Sequence, residues 1–262
     1  MAHFLSFASE QVQFYSGSQW LVLSAIVFGA SVLRGLVGFG FAVATVSLFG
    51  VVLPPSDAVL LSVLLQVSIG LWDGPMAIRT CDWPSLRPLI LGVAGATPLG
   101  LLALHWLPGP TARAVLALTA MTVLGLIMKP SFARRFQAGA SPLAVGCVAG
   151  VLNGLAAMPG PPVVAYFMNH AITPAVARAS LIVFFGIAAT VAALNAMLTG
   201  LIEVRLVLAA MSVLPALLLG SMLGTRLFAL ASPQFYRLLA LAVLTLSVAV
   251  AVWNSLADFG LP

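Results

Sequence analysis

Charged side chains are scarce in this chain of 262 residues. Only 6% of its residues are charged and 62% are hydrophobic, whereas soluble domains carry about 25% charged residues. A water-facing surface cannot be built from this composition, so most of the chain must face lipid or other buried helices. The composition therefore predicts an all-α integral membrane protein.

The side chains that carry most metal and redox chemistry are also few. There are six acidic residues, and the three histidines, His3, His105 and His170, are too dispersed to give metal-ligand spacing. A cation transporter would be expected to bring several carboxylates into the membrane, and those are missing. The two cysteines, Cys81 and Cys147, do not suggest a disulfide framework. We therefore expect no metal and no cofactor, and anions are the solutes that these residues can handle.

Motifs of known catalytic sites are missing as well. The sequence has no His-Glu-x-x-His, no Gly-x-Ser-x-Gly and no phosphate-binding loop, so it is not expected to be an enzyme. The net charge of +5 does not indicate a nucleic-acid partner, because the eleven basic residues are scattered singly, without a basic stripe. They are better explained as topology signals in a lipid bilayer.

What the chain does have is a series of long apolar stretches. A helix needs about 20 apolar residues to cross the core of a bilayer. We predict ten hydrophobic segments, five in each half of the chain. They cover 19–36, 39–53, 56–78, 86–106, 111–128, 142–157, 160–171, 174–200, 204–230 and 233–254. The second and seventh are short for a crossing, and half-helices and re-entrant segments both fit them.

The chain also contains a near-copy of itself. The pentamer at 32–36, Val-Leu-Arg-Gly-Leu, reappears 119 residues later at 151–155 as Val-Leu-Asn-Gly-Leu. Each copy leads into a break rich in glycine or proline, and Pro55 and Pro174 then match at the same spacing. We therefore predict two repeats with a linker between them. The first transmembrane repeat covers 18–128, the cytoplasmic linker 129–141 and the second transmembrane repeat 142–256.

The distribution of basic residues predicts the topology. If all ten segments cross, most of the basic residues collect on one side, and only Arg113 and Arg205 lie on the other. The positive-inside bias makes the first side cytoplasmic and places both termini outside. Five crossings per repeat, an odd number, would invert one repeat relative to the other. If the two short segments are re-entrant, each repeat has four crossings and the repeats are parallel.

The paired breaks are the best candidates for a substrate site. Interrupted membrane helices in corresponding positions of two halves mark the binding site of many transporters. The helix that restarts after Gly38, Phe39 and Gly40 offers free N–H groups and the positive end of its dipole, which favour an anion. The second break does the same at Gly160, followed by Pro161. Close packing of glycine-rich membrane helices is the alternative explanation.

Polar residues near the breaks are further candidates for anion contacts. Arg34 lies directly before the first break, and an arginine within a membrane segment is costly and usually functional. Its alternative role is to reach the headgroups from the helix end. Its repeat partner is Asn153, so the site would be asymmetric in charge. Arg178, one turn after Pro174, either anchors the topology or reaches inward to a ligand.

Two titratable residues are candidates for proton coupling. Asp73 lies late in the third segment beside Trp72, and His170 lies at the end of the seventh. Both are in apolar surroundings, where an ionisable group often serves a proton relay. For Asp73, a position at the membrane interface is the favoured explanation.

The motifs resemble those of the TauE/SafE sulfite exporter family. Residues 34–41, followed by Leu-Pro-Pro at 53–55, resemble its first repeat, and residues 153–162 with Arg-Ala-Ser-Leu at 178–181 are similar to its second. The resemblance covers about 22–254. It implies a multi-pass secondary transporter of the bacterial cytoplasmic (inner) membrane. The site residues it implies are Arg34, Gly38, Phe39, Gly40, Phe41, Gly160, Pro161, Pro162 and Arg178. We add Asn153, the repeat partner of Arg34, and Met158, which opens the second break.

The sequence and the resemblance together predict a carrier of a small anion. We expect it to move sulfite or an organosulfonate such as sulfoacetate across the cytoplasmic membrane, as an exporter that works by alternating access. A passive anion channel of the same architecture and an uptake carrier for a carboxylate or sulfonate remain open alternatives. The expected partners are the substrate anion and the lipid bilayer, and a homodimer is left open.

Overall fold

The computed structural model of the protein describes residues 17–37, 40–128, 141–168 and 172–230, with single positions between 242 and 256. The four continuous ranges fold into helices, which confirms the predicted all-α class. These helices are α1 (Gly17–Val37), α2 (Phe41–Phe49), α3 (Pro55–Ala77), α4 (Trp83–Trp106), α5 (Gly109–Met128), α6 (Pro142–Ala156), α7 (Gly160–Met168), α8 (Pro174–Leu198) and α9 (Val204–Leu230). Most of the predicted linker and of the tenth segment lie outside the described residues.

Five of these helices are long and apolar enough to cross a membrane. The candidate spans are Gly17–Leu36, Pro55–Ala77, Trp83–Trp106, Ala175–Leu198 and Val204–Leu227. The prediction of a multi-pass membrane protein is thereby confirmed.

Proline and a preceding hydroxyl group fix where two helices of the second half begin. Ser141 Oγ accepts a hydrogen bond from the Ala144 N–H at 3.2 Å, and Thr173 Oγ1 accepts one from the Val176 N–H at 3.4 Å. Each capping residue is followed by proline, at 142 and 174, which fits the first turn of a helix because its missing N–H is not needed there.

The two short helices follow the predicted breaks. At nine residues each, α2 and α7 are about 13.5 Å long, less than half of the roughly 30 Å of a bilayer core. The chain turns through left-handed backbone before each, at Gly40 (φ 92°) and at Ala157 (φ 55°). Gln66 Nε2 donates a hydrogen bond to the Ala157 carbonyl oxygen at 3.3 Å, which satisfies one group that the break frees.

Contacts at the helix ends fix the direction of α1, α3 and α9. Asp57 at the start of α3 pairs with Arg205 at the start of α9 at 3.1 Å, and both helices end at one cavity. Helix α1 packs along α9 in the same direction, with Phe28 beside Gly220 and Gly35 beside Gly224. These three helices are therefore parallel. Because α1 and α3 are parallel, the chain recrosses the bundle between them through α2 and its flanking residues.

Helices α4, α6 and α8 run in the opposite direction. Helix α4 packs along α6 in parallel, with Leu89 beside Gly146 and Thr97 beside Gly154. Helix α8 begins where α3 ends and crosses it with Gly70 against Gly186, so these two are antiparallel.

Glycines form the two closest helix contacts, the seam between α4 and α6 and the seam between α1 and α9. A Cβ on Gly92 would lie 2.5 Å from the Leu143 carbonyl oxygen, and one on Gly35 would lie 2.8 Å from that of Ser221. Small residues allow helix backbones to approach this closely in lipid, where packing replaces the hydrophobic effect as the driving force. Each seam joins a helix of the first half to one of the second.

Candidate functional site

A cavity of about 540 Å³ lies where α1, α3 and α9 end and α8 begins. We call its four charged lining residues, Arg34, Asp73, Arg178 and Arg226, the charged group of the cavity. Its apolar walls include Trp72, Met76, Ile182 and Met222, and its other polar walls include Thr80, Ser221 and Thr225. The cavity thus combines charge with apolar surface, as small-molecule sites do.

The strongest polar contact in the cavity joins α1 to α3. Arg34 Nη1 lies 2.6 Å from Asp73 Oδ2, and the two form a salt bridge. The Arg34 side chain is only 5% exposed, whereas that of Asp73 is 26% exposed. A buried guanidinium requires a partner of opposite charge, because its desolvation is costly. Asp73 provides that partner from the edge of the cavity.

Arg178 connects α8 to the end of α1. Its Nη2 donates a hydrogen bond to the Gly35 carbonyl oxygen at 3.2 Å. Gly35 lies in the last turn of α1, where carbonyl groups have no partner within the helix and the helix dipole is negative. Both properties favour a cation there, and this explains why a charged residue is accommodated one turn into α8.

The electrostatics of the cavity favour an anion. Arg178 binds the carbonyl oxygen of Gly35, the residue after Arg34, so two like charges that repel each other are gathered at the end of α1. Three guanidinium groups and one carboxylate make up the charged group, so positive charge is in excess. An anion that enters would relieve this repulsion, and the planar donors of arginine match the oxygens of sulfonates and carboxylates.

The structure brings Arg34 and Arg178 together, and Asp73 with them. It places Phe41 and Met158, each 2% exposed, in one core cluster rather than on the cavity. Gly160 begins α7, and a Cβ on it would lie 3.5 Å from the Phe185 ring. The remaining break residues are outside this cavity or outside the described part. Gly40 precedes α2, Pro161 and Pro162 lie in the first turn of α7, and Gly38, Phe39 and His170 lie outside the described residues.

Asn153 has a structural environment of its own. It is 1% exposed, and its Nδ2 donates hydrogen bonds to the Ala188 carbonyl oxygen at 2.8 Å and to Thr97 Oγ1 at 3.2 Å. It therefore joins α6 to α4 and α8 within the bundle. Its Oδ1 receives no hydrogen bond from the described residues.

Arg226 is a cavity residue that the sequence analysis counted only as a topology signal. It lies on one side of α9 with Met222, which is four residues before it, since residues three or four positions apart are neighbours on a helix surface. Ser221 and Thr225, also four residues apart, line the cavity beside them. The sequence offered one signal for Arg226 as a site residue, its position four residues after Met222 near the end of α9.

Most of the chain matches a known protein family. The family model described as "Sulfite exporter TauE/SafE" matches residues 23–251. A protein of Cupriavidus necator described as "Probable sulfite/organosulfonate exporter TauE" is 25% identical over 174 residues, which cover 65% of this chain and 68% of that protein. No solved structure matches the chain.

Proposed function

From the premise that this chain belongs to the sulfite exporter TauE/SafE family of membrane transporters, we propose that it exports a small sulfur-containing anion. The cavity lined by the charged group is its loading site. The observation that supports this most strongly is the buried guanidinium of Arg34 at a cavity with two further arginines. Membership of a transporter family also makes the chain a transporter rather than an enzyme, as the sequence predicted.

The walls of the cavity favour an organosulfonate over sulfite itself. About 540 Å³ is many times the roughly 30 Å³ that one water occupies, so sulfite would leave most of the cavity to water. Trp72, Met76 and Met222 give it apolar surface that a short carbon chain would cover. An anion such as sulfoacetate would place its sulfonate among the arginines and its carbon atoms against this surface. The relative from Cupriavidus necator is likewise described as an exporter of sulfite or organosulfonates.

The same proposal includes two inverted repeats and alternating access. The helix directions support inversion, because α1 and α3 run opposite to α6 and α8, their counterparts in the second half. The seams support it too, because α1 pairs with α9 while α6 pairs with α4. Such reciprocal pairing is expected when a two-fold axis in the membrane plane relates the halves.

The counterparts of the cavity residues support a conformation open on one side. At the repeat spacing of 119 residues, Arg34, Asp73 and Arg178 correspond to Asn153, Ala192 and Val59. These three counterparts are buried, with 1%, 0% and 0% of their surface exposed. In the opposite conformation they would open while the cavity closes. The break residues, from Gly38 to Phe41 and from Met158 to Pro162, are proposed to line the path between the two ends.

Basic residues support a cytoplasmic position for the cavity. Arg79 and Arg87 flank the turn between α3 and α4, and Arg226 lies near the end of α9, all at the cavity end of the bundle. By the positive-inside bias this end is cytoplasmic, and both termini are then outside. A cavity that opens to the cytoplasm is where an exporter loads its substrate.

A ligand panel tests the proposed function. The purified protein is titrated with sulfoacetate, taurine, methanesulfonate, sulfite and acetate, and the shift in Tm is measured, because a ligand stabilises in proportion to the logarithm of its concentration over Kd. We expect the organosulfonates to give larger shifts than sulfite or acetate. Absence of a shift with every sulfur anion would overturn the proposed substrate class.

Counterflow in proteoliposomes separates a carrier from a channel. Vesicles preloaded with unlabelled sulfoacetate should accumulate labelled sulfoacetate transiently, because a carrier exchanges one molecule for another. A channel would equilibrate the label without accumulation, and that result would overturn alternating access.

A further inference from the structure

The salt bridge between Arg34 and Asp73 places a carboxylate at the proposed loading site. Asp73 is the only carboxylate among the described residues that line the cavity, and it occupies the Nη1 donor that an incoming anion would need. Asp73 Oδ2 therefore occupies the position on Arg34 that the proposed substrate would take. An anion that takes the Nη1 donor of Arg34 must displace this carboxylate.

We propose, resting on the proposed function, that anion binding at Arg34 is coupled to uptake of one proton by Asp73. The anion takes the place of Asp73 Oδ2 on Arg34 Nη1. The released carboxylate forms an O–H bond with a proton from the cytoplasmic water. One anion and one proton enter together, and both leave together on the other side.

The surroundings of Asp73 explain why its release favours the neutral form. Asp73 is 26% exposed and lies on α3 between Trp72 and Met76, which also line the cavity. A carboxylate without Arg34, next to apolar groups and to a second anion, is disfavoured by desolvation and by repulsion between like charges. Protonation removes both penalties.

Among the described residues that line the cavity, the charges other than Asp73 come from three helices. Arg34 on α1, Arg178 on α8 and Arg226 on α9 face it, and α3 adds no other charged residue to the lining. With three guanidinium groups and one carboxylate, the empty cavity carries two positive charges. Replacing the carboxylate by a monovalent anion and protonating Asp73 leaves that net charge unchanged. With a monovalent anion, the loaded protein therefore changes between its two conformations with the same cavity charge as the unloaded protein.

Calorimetry with methanesulfonate tests the coupling, because this probe stays a monovalent anion throughout the neutral range. The full chain is titrated at one pH in two buffers of different ionisation enthalpy, which reports the protons taken up per anion. We expect proton uptake in the wild type and an affinity that rises as the pH falls, by up to about tenfold per pH unit for one linked proton. Binding to the wild type without proton uptake would overturn the coupling while leaving the proposed function intact.

The isosteric variant Asp73→Asn provides the decisive comparison. It keeps the shape of the side chain but cannot take up a proton, so its affinity for methanesulfonate should not depend on pH. Asp82→Asn, outside the cavity lining, should retain the proton uptake of the wild type. Proton uptake that persists in Asp73→Asn would assign the coupling to another group and overturn the inference. Failure of every sulfur anion to bind the wild type would overturn the proposed function and this inference with it.

Flux measurements give an independent readout in proteoliposomes. A membrane potential imposed with potassium and valinomycin should leave methanesulfonate flux through the wild type unchanged, because its net charge movement is zero. The flux through Asp73→Asn should respond to the potential, since the anion then moves alone. A wild-type flux that follows the potential would contradict one-to-one coupling.

Discussion

Matching positions in the two halves of the molecule differ in charge and in surroundings. In the first half Arg34 pairs with Asp73 at a cavity, whereas its counterpart Asn153 donates neutral hydrogen bonds to Ala188 and Thr97 inside the bundle. Arg178, which lines the cavity, has the fully buried Val59 as its counterpart. The charged residues of the cavity, Arg34, Asp73 and Arg178, thus have uncharged residues at the matching positions of the other half.

This difference indicates what each end contributes. A buried ion pair is expensive to desolvate and rarely stabilises more than apolar packing would, so its presence needs a functional reason. A buried asparagine with two donated hydrogen bonds is less costly and holds three helices together. Under the proposed function, the charged group serves ligand binding, and Asn153 serves a packing contact that conformational change must loosen. The four predictions below test this division.

The largest effect is expected from the seams, which the two halves share. A Cβ on Gly154 would lie 2.5 Å from the Leu101 nitrogen, and one on its counterpart Gly35 would lie 2.8 Å from the Ser221 carbonyl oxygen. Gly154→Val and Gly35→Val should each force two backbones apart and prevent recovery of folded protein. Size-exclusion profiles in detergent measure this. Gly95→Val is the control, because a Cβ on Gly95 meets no atom within 4 Å, and a loss there too would contradict the argument.

The next effect separates ligand binding from structure. Arg34→Ala should weaken the binding of sulfoacetate by about 10-fold to 100-fold, since a hydrogen bond to a charged group contributes about 1.5–3 kcal/mol. Asn153→Ala should change the affinity for sulfoacetate by no more than about twofold. It should lower the Tm, because it removes two buried hydrogen bonds. Calorimetry and thermal unfolding measure the two quantities. Equal losses of affinity would remove the functional difference between the halves. Arg87→Ala, an exposed arginine outside the cavity lining, is the control for charge alone.

A smaller effect is expected at Arg178 on α8. Arg178→Met should reduce sulfoacetate affinity by several-fold, because it removes one of three positive charges in the cavity and the hydrogen bond to the Gly35 carbonyl oxygen. Its counterpart change, Val59→Ala, should lower the Tm by leaving a small void, while affinity stays the same. Unchanged affinity in Arg178→Met would exclude Arg178 from the site.

The smallest effect is expected at the end opposite the cavity. Arg205 Nε lies 2.6 Å from Glu203 Oε2, and this hydrogen bond and the nearby charge lower the pKa of Glu203. A lowered pKa stabilises the fold above the ordinary pKa of the carboxyl group, and the contribution disappears as the pH falls through the lowered value. Because Glu203 is exposed, Glu203→Gln should change the Tm only slightly at pH 7 and not at all in acid. A large change at pH 7 would show that this end is locked by charge rather than by packing.

Much of the helical layout could be predicted from the sequence, because lipid permits few alternatives. Long apolar runs specify helices, and Pro55, Pro142 and Pro174 mark where three of them begin. The predicted segment at 39–53 was too long, since α2 ends at Phe49 and the chain then turns. Apolar residues continue through that turn, so hydrophobicity gave no signal of the helix end.

The site was predicted only in part. Arg34 and Arg178 stand out in apolar surroundings, but the partner of Arg34 could not be deduced, because Asp73 lies 39 residues away and meets it only if α1 and α3 are parallel. That direction depends on whether α2 returns the chain, which the sequence left open. The break residues Phe41 and Met158 lie in the core rather than at the cavity, and their role in transport stays a prediction.

The seam between α1 and α9 has a consequence for biogenesis. Gly35 meets Gly224, its neighbour in space, only after 189 further residues have left the ribosome. Asp73, the partner of Arg34, is synthesised only 39 residues after it, so the salt bridge can form before the seam does. The salt bridge would thus neutralise Arg34 during synthesis, before α9 packs against α1.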